Sequence, residues 1–335
     1  MLGRVSQQVL TLLQLTRMAL VFTAISNGLA ALALRQAGAG QSVWSIDPWM
    51  IAGVMLVAVG LYGFGMVLND VIDRRRDRHL ARTRPLPSGR IGVSAAIFVA
   101  GVMLAVAVGG GTLLLGRTDP ADGAGIASVV LVFVTAGFIA AYDLFGKYLV
   151  WVGLLLLGLV RFFHTTIADP TLTVVWHPLW LLNHVAIVSA VAYRWEAKRP
   201  ALSRRQTTLL LAGLAVLNLG LVTALFLRRG TGFAESLTLS PALILPIVTA
   251  FAFAVAGHVI KRRSHDRRAA GKALILYGLL WLILYDALFV AGYVDLLAGA
   301  LLLLLWPVSY LAVRTMRLWS SMTELAHKPQ YIRAP

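Results

Sequence analysis

Long apolar runs, broken by short polar intervals, organise the whole chain. Apolar residues continue with little interruption over about 18–36, 49–68, 91–116, 124–142, 148–167, 172–193, 206–227, 240–260, 271–291 and 295–313. One crossing of a bilayer core needs about 20 such residues. Within hydrocarbon the backbone must satisfy its polar groups internally, so each run is predicted to be a helix. The fold class expected is all-α: a polytopic membrane helical bundle of about nine to ten transmembrane helices. The last two runs lie close together, which leaves a single long or re-entrant element as the alternative to two spans. The intervals are too short for a soluble domain, so residues 1–335 are expected to form one integral membrane domain. The first segment, MLGRVSQQVLTLLQLTR, has no clear small-residue cleavage site before the first long run and reads as a short amphipathic helix.

Composition agrees with the pattern. Hydrophobic residues make up 59% of the chain and charged residues 13%, against roughly 25% charged in soluble domains. The net charge of +16 would suggest a nucleic-acid partner in a soluble protein. Here the basic residues sit in short loops between apolar runs, so they read as topology signals and no nucleic-acid partner is expected. Assigned to alternate sides, 25 of the Lys and Arg residues fall on one side, including Arg4, Arg17, the arginines of the loop after the second run, and Lys328 and Arg333 in the tail. The other side holds five: Arg35, Arg117, Arg161, Arg228 and Arg229. The richer side is expected in the cytoplasm, with both termini there and an even number of spans. The absence of cysteine excludes disulfides, thiolate metal sites and cysteine nucleophiles.

The chemistry concentrates after the second run, at Asn69, Asp70, Val71, Ile72, Asp73, Arg74, Arg75, Arg76 and Asp77. At about 100° per residue on a helix, Asn69, Asp70, Asp73 and Asp77 fall in one arc about 100° wide, with the arginines outside it. Three carboxylates on one stripe repel each other unless a cation sits between them. Magnesium takes oxygen ligands, commonly one or two carboxylates plus phosphate and water. Nearby guanidinium groups suit phosphate oxygens. The segment lies where a span ends, so a lipid's charged head would reach it while the tail stays in hydrocarbon. Beyond it, Pro85 and Pro87 fix a turn, and Ser88 is a candidate N-cap for the third span.

The stretch NDVIDRRRDRHLARTRPLPSGRI resembles the first aspartate-rich motif of the UbiA family of membrane prenyltransferases. That motif follows N-D-x-x-D-x-x-x-D, then an arginine-rich stretch and a P-L-P-S-G turn. The segment Tyr142, Asp143, Leu144, Phe145, Gly146, Lys147 is similar to the family's tyrosine-to-lysine segment after the fourth span. The resemblance implies a helical bundle that binds a prenyl diphosphate through Mg2+ and passes the prenyl group to a small or lipid acceptor, often aromatic. It implies a bacterial or archaeal cytoplasmic membrane. By position, Asp73, Asp77 and Lys147 would be catalytic. Asn69, Arg82, Arg84, Lys198 and Arg199 would contact the diphosphate. Asn69, Asp70, Asp73, Asp77 and Glu196 would be the metal ligands. The loop after the sixth run departs from the family pattern. It reads Tyr193, Arg194, Trp195, Glu196, Ala197, Lys198, Arg199, Pro200, with one acid where the family has a second aspartate motif. Lys198 and Arg199 would then neutralise the diphosphate directly. The alternative is a non-catalytic relative that binds or moves an isoprenoid lipid in a biosynthetic or export system.

Weaker features complete the picture. Asn27, Arg161, His164, Asn183, His184 and Asp286 lie in or near spans, where polar groups turn to the bundle interior and hydrogen-bond between helices. For Arg161, snorkelling or an internal ion pair is expected. The histidines lack metal-ligand spacing. The run Lys261–Arg268 reads as a topology signal that also attracts anionic lipid.

Overall fold

The computed structural model describes residues 10–80, 84–118 and 123–326; Arg4, Arg82, Lys328 and Arg333 lie outside them. The described chain is helical, without strands. The apolar runs become α1 (Val21–Gly38), α2 (Pro48–Leu80), α3 (Val93–Leu115), α4 (Ala124–Ala141), α5 (Val150–Thr166), α6 (Trp176–Trp195), α7 (Arg204–Arg229), α8 (Ile244–Arg263) and α9 (Arg267–Tyr293). The last run is split into α10 (Leu296–Leu303) and α11 (Leu305–Ala326). Ahead of α1, residues 10–16 are helical. Among the described residues, eight helices are long and apolar enough to cross a membrane, Leu296–Met316 counted as one. The other two runs are α5, with 17 residues, and α6, which carries two histidines, a proline and an asparagine among its apolar residues.

Local chemistry sets several boundaries. Ser203 and Gln206 form a capping box at the start of α7, and Gly230 ends it in a left-handed turn. The Asp266 and Asp295 side chains accept from Ala269 N and Ala298 N, starting α9 and α10. Ser88 does not cap α3. Its hydroxyl donates to Pro85 O at 3.1 Å inside a turn that continues past Gly89, and the cap is Gly92. The Pro-x-Pro-Ser-Gly stretch satisfies its own polar groups, so the helix starts only after it.

Among the described residues, the three largest apolar clusters join most of the helices. Leu61 of α2, Ala107 of α3, and Val132 and Ile139 of α4 pack in the first. Leu154, Leu182 and Leu210 join α5, α6 and α7. Leu34, Leu181, Leu282 and Phe289 join α1, α6 and α9. α2 and α3 approach so closely that a methyl on Gly60 would lie 2.5 Å from Ala107 N, and one on Gly110 2.5 Å from Gly53 O. Phe98, Ile126, Phe133, Val216 and Phe251 point outward, as lipid-facing positions require. The expected interior polar groups are there. Asn27 and Asp286 are fully buried, Asn183 and Asn218 exchange hydrogen bonds between α6 and α7, and His184 Nε2 meets Gly278 O at 3.0 Å.

Candidate functional site

α2 has 33 residues, about 50 Å at the helical rise, well beyond the ~30 Å hydrocarbon core. Its last turns therefore carry polar residues without breaking the helix. The arc read from the sequence is real in space: Asp70, Asp73 and Asp77 are all buried, at 2%, 8% and 3% exposure. Asn69 is half-buried. Arg75, Arg76 and Arg78 are exposed and Arg74 half-buried.

Each carboxylate meets a cation. Arg17 Nη2 donates to Asp70 Oδ1 at 2.7 Å, and Arg84 Nη1 stands 3.5 Å from the same oxygen. Arg84 also pairs with Asp77. Arg76 donates to Asp73 Oδ2 at 2.6 Å, with Lys147 Nζ 3.0 Å from that oxygen. Lys147 is also 2.9 Å from Asp143 Oδ1. Both Asp143 Oδ1 and Lys147 Nζ are nevertheless buried without a hydrogen bond of ordinary geometry. A single π-helical turn over Tyr142–Gly146 ends α4. It holds the buried Asp143, with Lys147 directly after it. Arg17 takes φ 47° and ψ 40°, a left-handed conformation that costs a non-glycine residue energy and clusters at functional sites. Four buried carboxylates are thus matched by Arg17, Arg76, Arg84 and Lys147.

Among the described residues the loop after α6 makes no ion pair with this cluster. Lys198 Nζ pairs with Glu196 at 3.2 Å and lies over the Tyr193 ring. Glu196 packs against Gly271 of α9. Arg199 is exposed, and Arg194 donates to Thr207. Among the described residues, the ion-pair partners of Asp73 are Arg76 and Lys147. Sequence reasoning treated Arg17 only as a topology charge. Nothing local marks it, because its partner lies 53 residues away. Asp143 carried a signal, a four-residue spacing to Lys147 at the end of a span.

The profile of the UbiA prenyltransferase family matches residues 19–277. The chain belongs to that family. Over 68 residues it is 43% identical to the 4-hydroxybenzoate octaprenyltransferases of Legionella pneumophila strains Lens and Paris. That match covers 20% of this chain and spans only 23% of those relatives. The UbiA fold extends further: a structure of digeranylgeranylglyceryl phosphate synthase in membranes overlays with a TM-score of 0.57 at 17% identity, covering 85% of this chain and 98% of that one. A UbiA homologue from Archaeoglobus fulgidus bound to GPP and Mg2+ overlays at 0.43 and 13% identity, covering 91% and 99%. Within this UbiA-family bundle, the buried acids and their cations gather where α2, the segment before α1 and the end of α4 meet.

Proposed function

We propose that this chain catalyses Mg2+-dependent transfer of a prenyl group from a prenyl diphosphate to an acceptor, often aromatic, within the membrane. The whole chain is one such domain in this reading, and its site faces the cytoplasm of the membrane it spans. The observation that carries the proposal is the buried row Asp70, Asp73, Asp77 with Lys147 and Asp143 opposite. In this reading the donors suit magnesium because they are hard oxygens; among the described residues no three acids or histidines already stand grouped as a metal site, so phosphate and water would complete the shell. Asn69, Asp73 and Asp77 would hold the ion. When bound, it supplies charge that stabilises a departing diphosphate.

The protein's own side chains do the rest. Lys147 and Arg84 donate to phosphate oxygens, Lys147 as a point charge and Arg84 as a fork. Asp70, expected among the metal ligands, is engaged by Arg17 and Arg84 and in this reading orients those two guanidinium groups. In this reading Lys198 and Arg199 would contact the diphosphate and Glu196 would help hold the metal; Arg82, expected to do as Lys198 does, lies outside the described residues. The apolar bundle below holds the prenyl chain and keeps water from the allylic centre.

The test is diphosphate release by the purified protein from a panel of prenyl diphosphates with candidate acceptors. Release should require Mg2+, stop with a chelator, and vanish in D73N and D77N. Release unaffected by both substitutions removes the site. One observation favours a second reading, a non-catalytic lipid-binding relative: the loop after α6 offers a single acid, already engaged by Lys198. Mg2+-dependent binding of prenyl diphosphates without release under any acceptor would select it.

A further inference from the structure

The end of α6 is a meeting point for three other helix ends. Arg194 donates to Thr207, near the start of α7, at 2.7 Å. The Lys261 ammonium, near the end of α8, lies over the Trp195 ring, 5.7 Å from its centre. Near the start of α9, a methyl on Gly271 would lie 3.0 Å from Ala192 O. The basic residues of these three ends therefore surround one spot. Arg204 and Arg205 come from α7, Lys261 and Arg262 from α8, and Arg267 and Arg268 from α9; all six are exposed. Among the described residues, none of the six is in ion-pair contact with a carboxylate. The acids nearest them in sequence are already used: Glu196 pairs with Lys198, and Asp266 caps α9. A topology signal needs charge at this end of the bundle. It does not need that charge gathered from three helices around one tryptophan.

Beneath this rim, α7 and α8 leave a furrow. α7 packs mainly against α5, and α8 mainly against α9. Both also touch α6, but along different stripes. Asn183 exchanges hydrogen bonds with Asn218 of α7, and Arg194, which bonds Thr207, lies about 20° from Asn183 around the helix. His184, at about 100°, meets the Phe253 ring of α8 at 4.8 Å. Trp195, at about 120°, is the residue under Lys261. Ile187 and Val191 fall between the two stripes, at about 40° and 80°. Ile187 is 47% exposed and Val191 half-buried, on a stretch of α6 whose other residues from 181 to 193 are all buried or half-buried. From Trp195 to Asn183 the furrow runs about 18 Å along the helix. That is close to one leaflet of a hydrocarbon core ~30 Å thick. It is apolar along its length and basic at its mouth.

We propose that this furrow seats an anionic phospholipid of the leaflet on the aspartate side. One acyl chain lies along Ile187 and Val191, and the phosphate meets the basic rim. The phosphate supplies the negative charge that the six cations lack, and guanidinium forks suit its oxygens. Basic pockets between the ends of membrane helices bind such head groups, and tryptophan concentrates at head-group depth. The bound lipid ties the ends of α7, α8 and α9 together around the end of α6. The proposal needs no part of the transferase reading.

The experiment is native mass spectrometry of the purified, delipidated full chain, titrated with phosphatidylglycerol or with phosphatidylcholine of identical acyl chains. The wild type should retain one phosphatidylglycerol about tenfold or more tighter than phosphatidylcholine, as a few basic residues near one phosphate supply. R262Q/R267Q should lose most of that preference. R75Q/R78Q, which removes the same charge from another exposed place at the same end, should keep it. I187W fills the furrow and should weaken retention of both lipids, with I187F serving if the tryptophan variant does not fold. V216W, on the side of α7 away from Asn218, should bind as the wild type does. A wild type without the preference overturns the proposal. So does a loss in R75Q/R78Q as large as in R262Q/R267Q, which means attraction spread over the whole face. An Ile187 variant that binds as the wild type does, or a V216W variant weakened as much as I187W, removes the furrow. Displacement of the retained phosphatidylglycerol by equimolar geranyl diphosphate gives the rim to a diphosphate and overturns the proposal as well.

Discussion

Lys147 Nζ stands 3.0 Å from Asp73 and 2.9 Å from Asp143, and all three side chains are mostly buried. Removing the ammonium leaves two carboxylates facing each other with little water, which costs about 3–5 kcal/mol where one partner of a buried pair is deleted. K147M should therefore lower the thermal midpoint in detergent and also weaken prenyl diphosphate binding. The two effects separate in K147M/D143N, where the uncompensated charge is gone. The double variant should regain much of the lost stability and none of the binding. Binding equal to wild type in the double variant would confine Lys147 to holding the site together. The aspartate arc was legible because spacing on one helix fixes direction. Arg17 was not, because its approach to Asp70 depends on how the segment before α1 folds back over α2.

On the scale of elements, close helix packing makes the sharpest prediction. Gly109 and Gly110 are neighbours on α3 with opposite surroundings: a methyl on Gly109 meets nothing within 4 Å, whereas one on Gly110 lies 2.5 Å from Gly53 O and 2.7 Å from Val57 N. Backbone atoms cannot swing aside, so α2 and α3 must separate, and overpacking of this kind costs about 1–3 kcal/mol. G110A should lower the thermal midpoint by several degrees and G109A leave it unchanged or slightly higher, since alanine favours helix. Equal midpoints would mean that the α2–α3 approach is looser than the structure has it. The loop after α6 gives a second test. If Lys198 and Arg199 neutralise the diphosphate, K198A/R199A should weaken donor binding in a way added Mg2+ does not restore. Unchanged affinity would leave Lys198 as the partner of Glu196 only. The helical runs themselves were readable because hydrocarbon tolerates little else. The break at Leu304 and the late start of α3 were not, because an apolar run looks the same whether its helix is continuous or interrupted.

Across the whole molecule, the basic residues divide unevenly between the two ends of the bundle. At the end where α2 begins, Arg117 pairs with Asp47 at 3.2 Å, and Arg229 donates to Leu172 O and Ser236 O, both at 2.7 Å. Arg228, at the same end, is exposed. At the aspartate end Arg75, Arg78, Arg204, Arg205, Arg262, Arg263, Arg267 and Arg268 are exposed. The sequence places 25 Lys and Arg residues at this end and five at the other. The aspartate end should therefore be cytoplasmic, and with it both termini. The chain has no cysteine, so one introduced thiol reports its own side. Gln41 is exposed at the α2-start end and His265 at the other. An impermeant maleimide should label Q41C in intact cells and H265C only after the membrane is opened. The reverse pattern would turn the protein over. It would also place the aspartate site on the outer face, where a donor made in the cytoplasm cannot reach it without first crossing the bilayer.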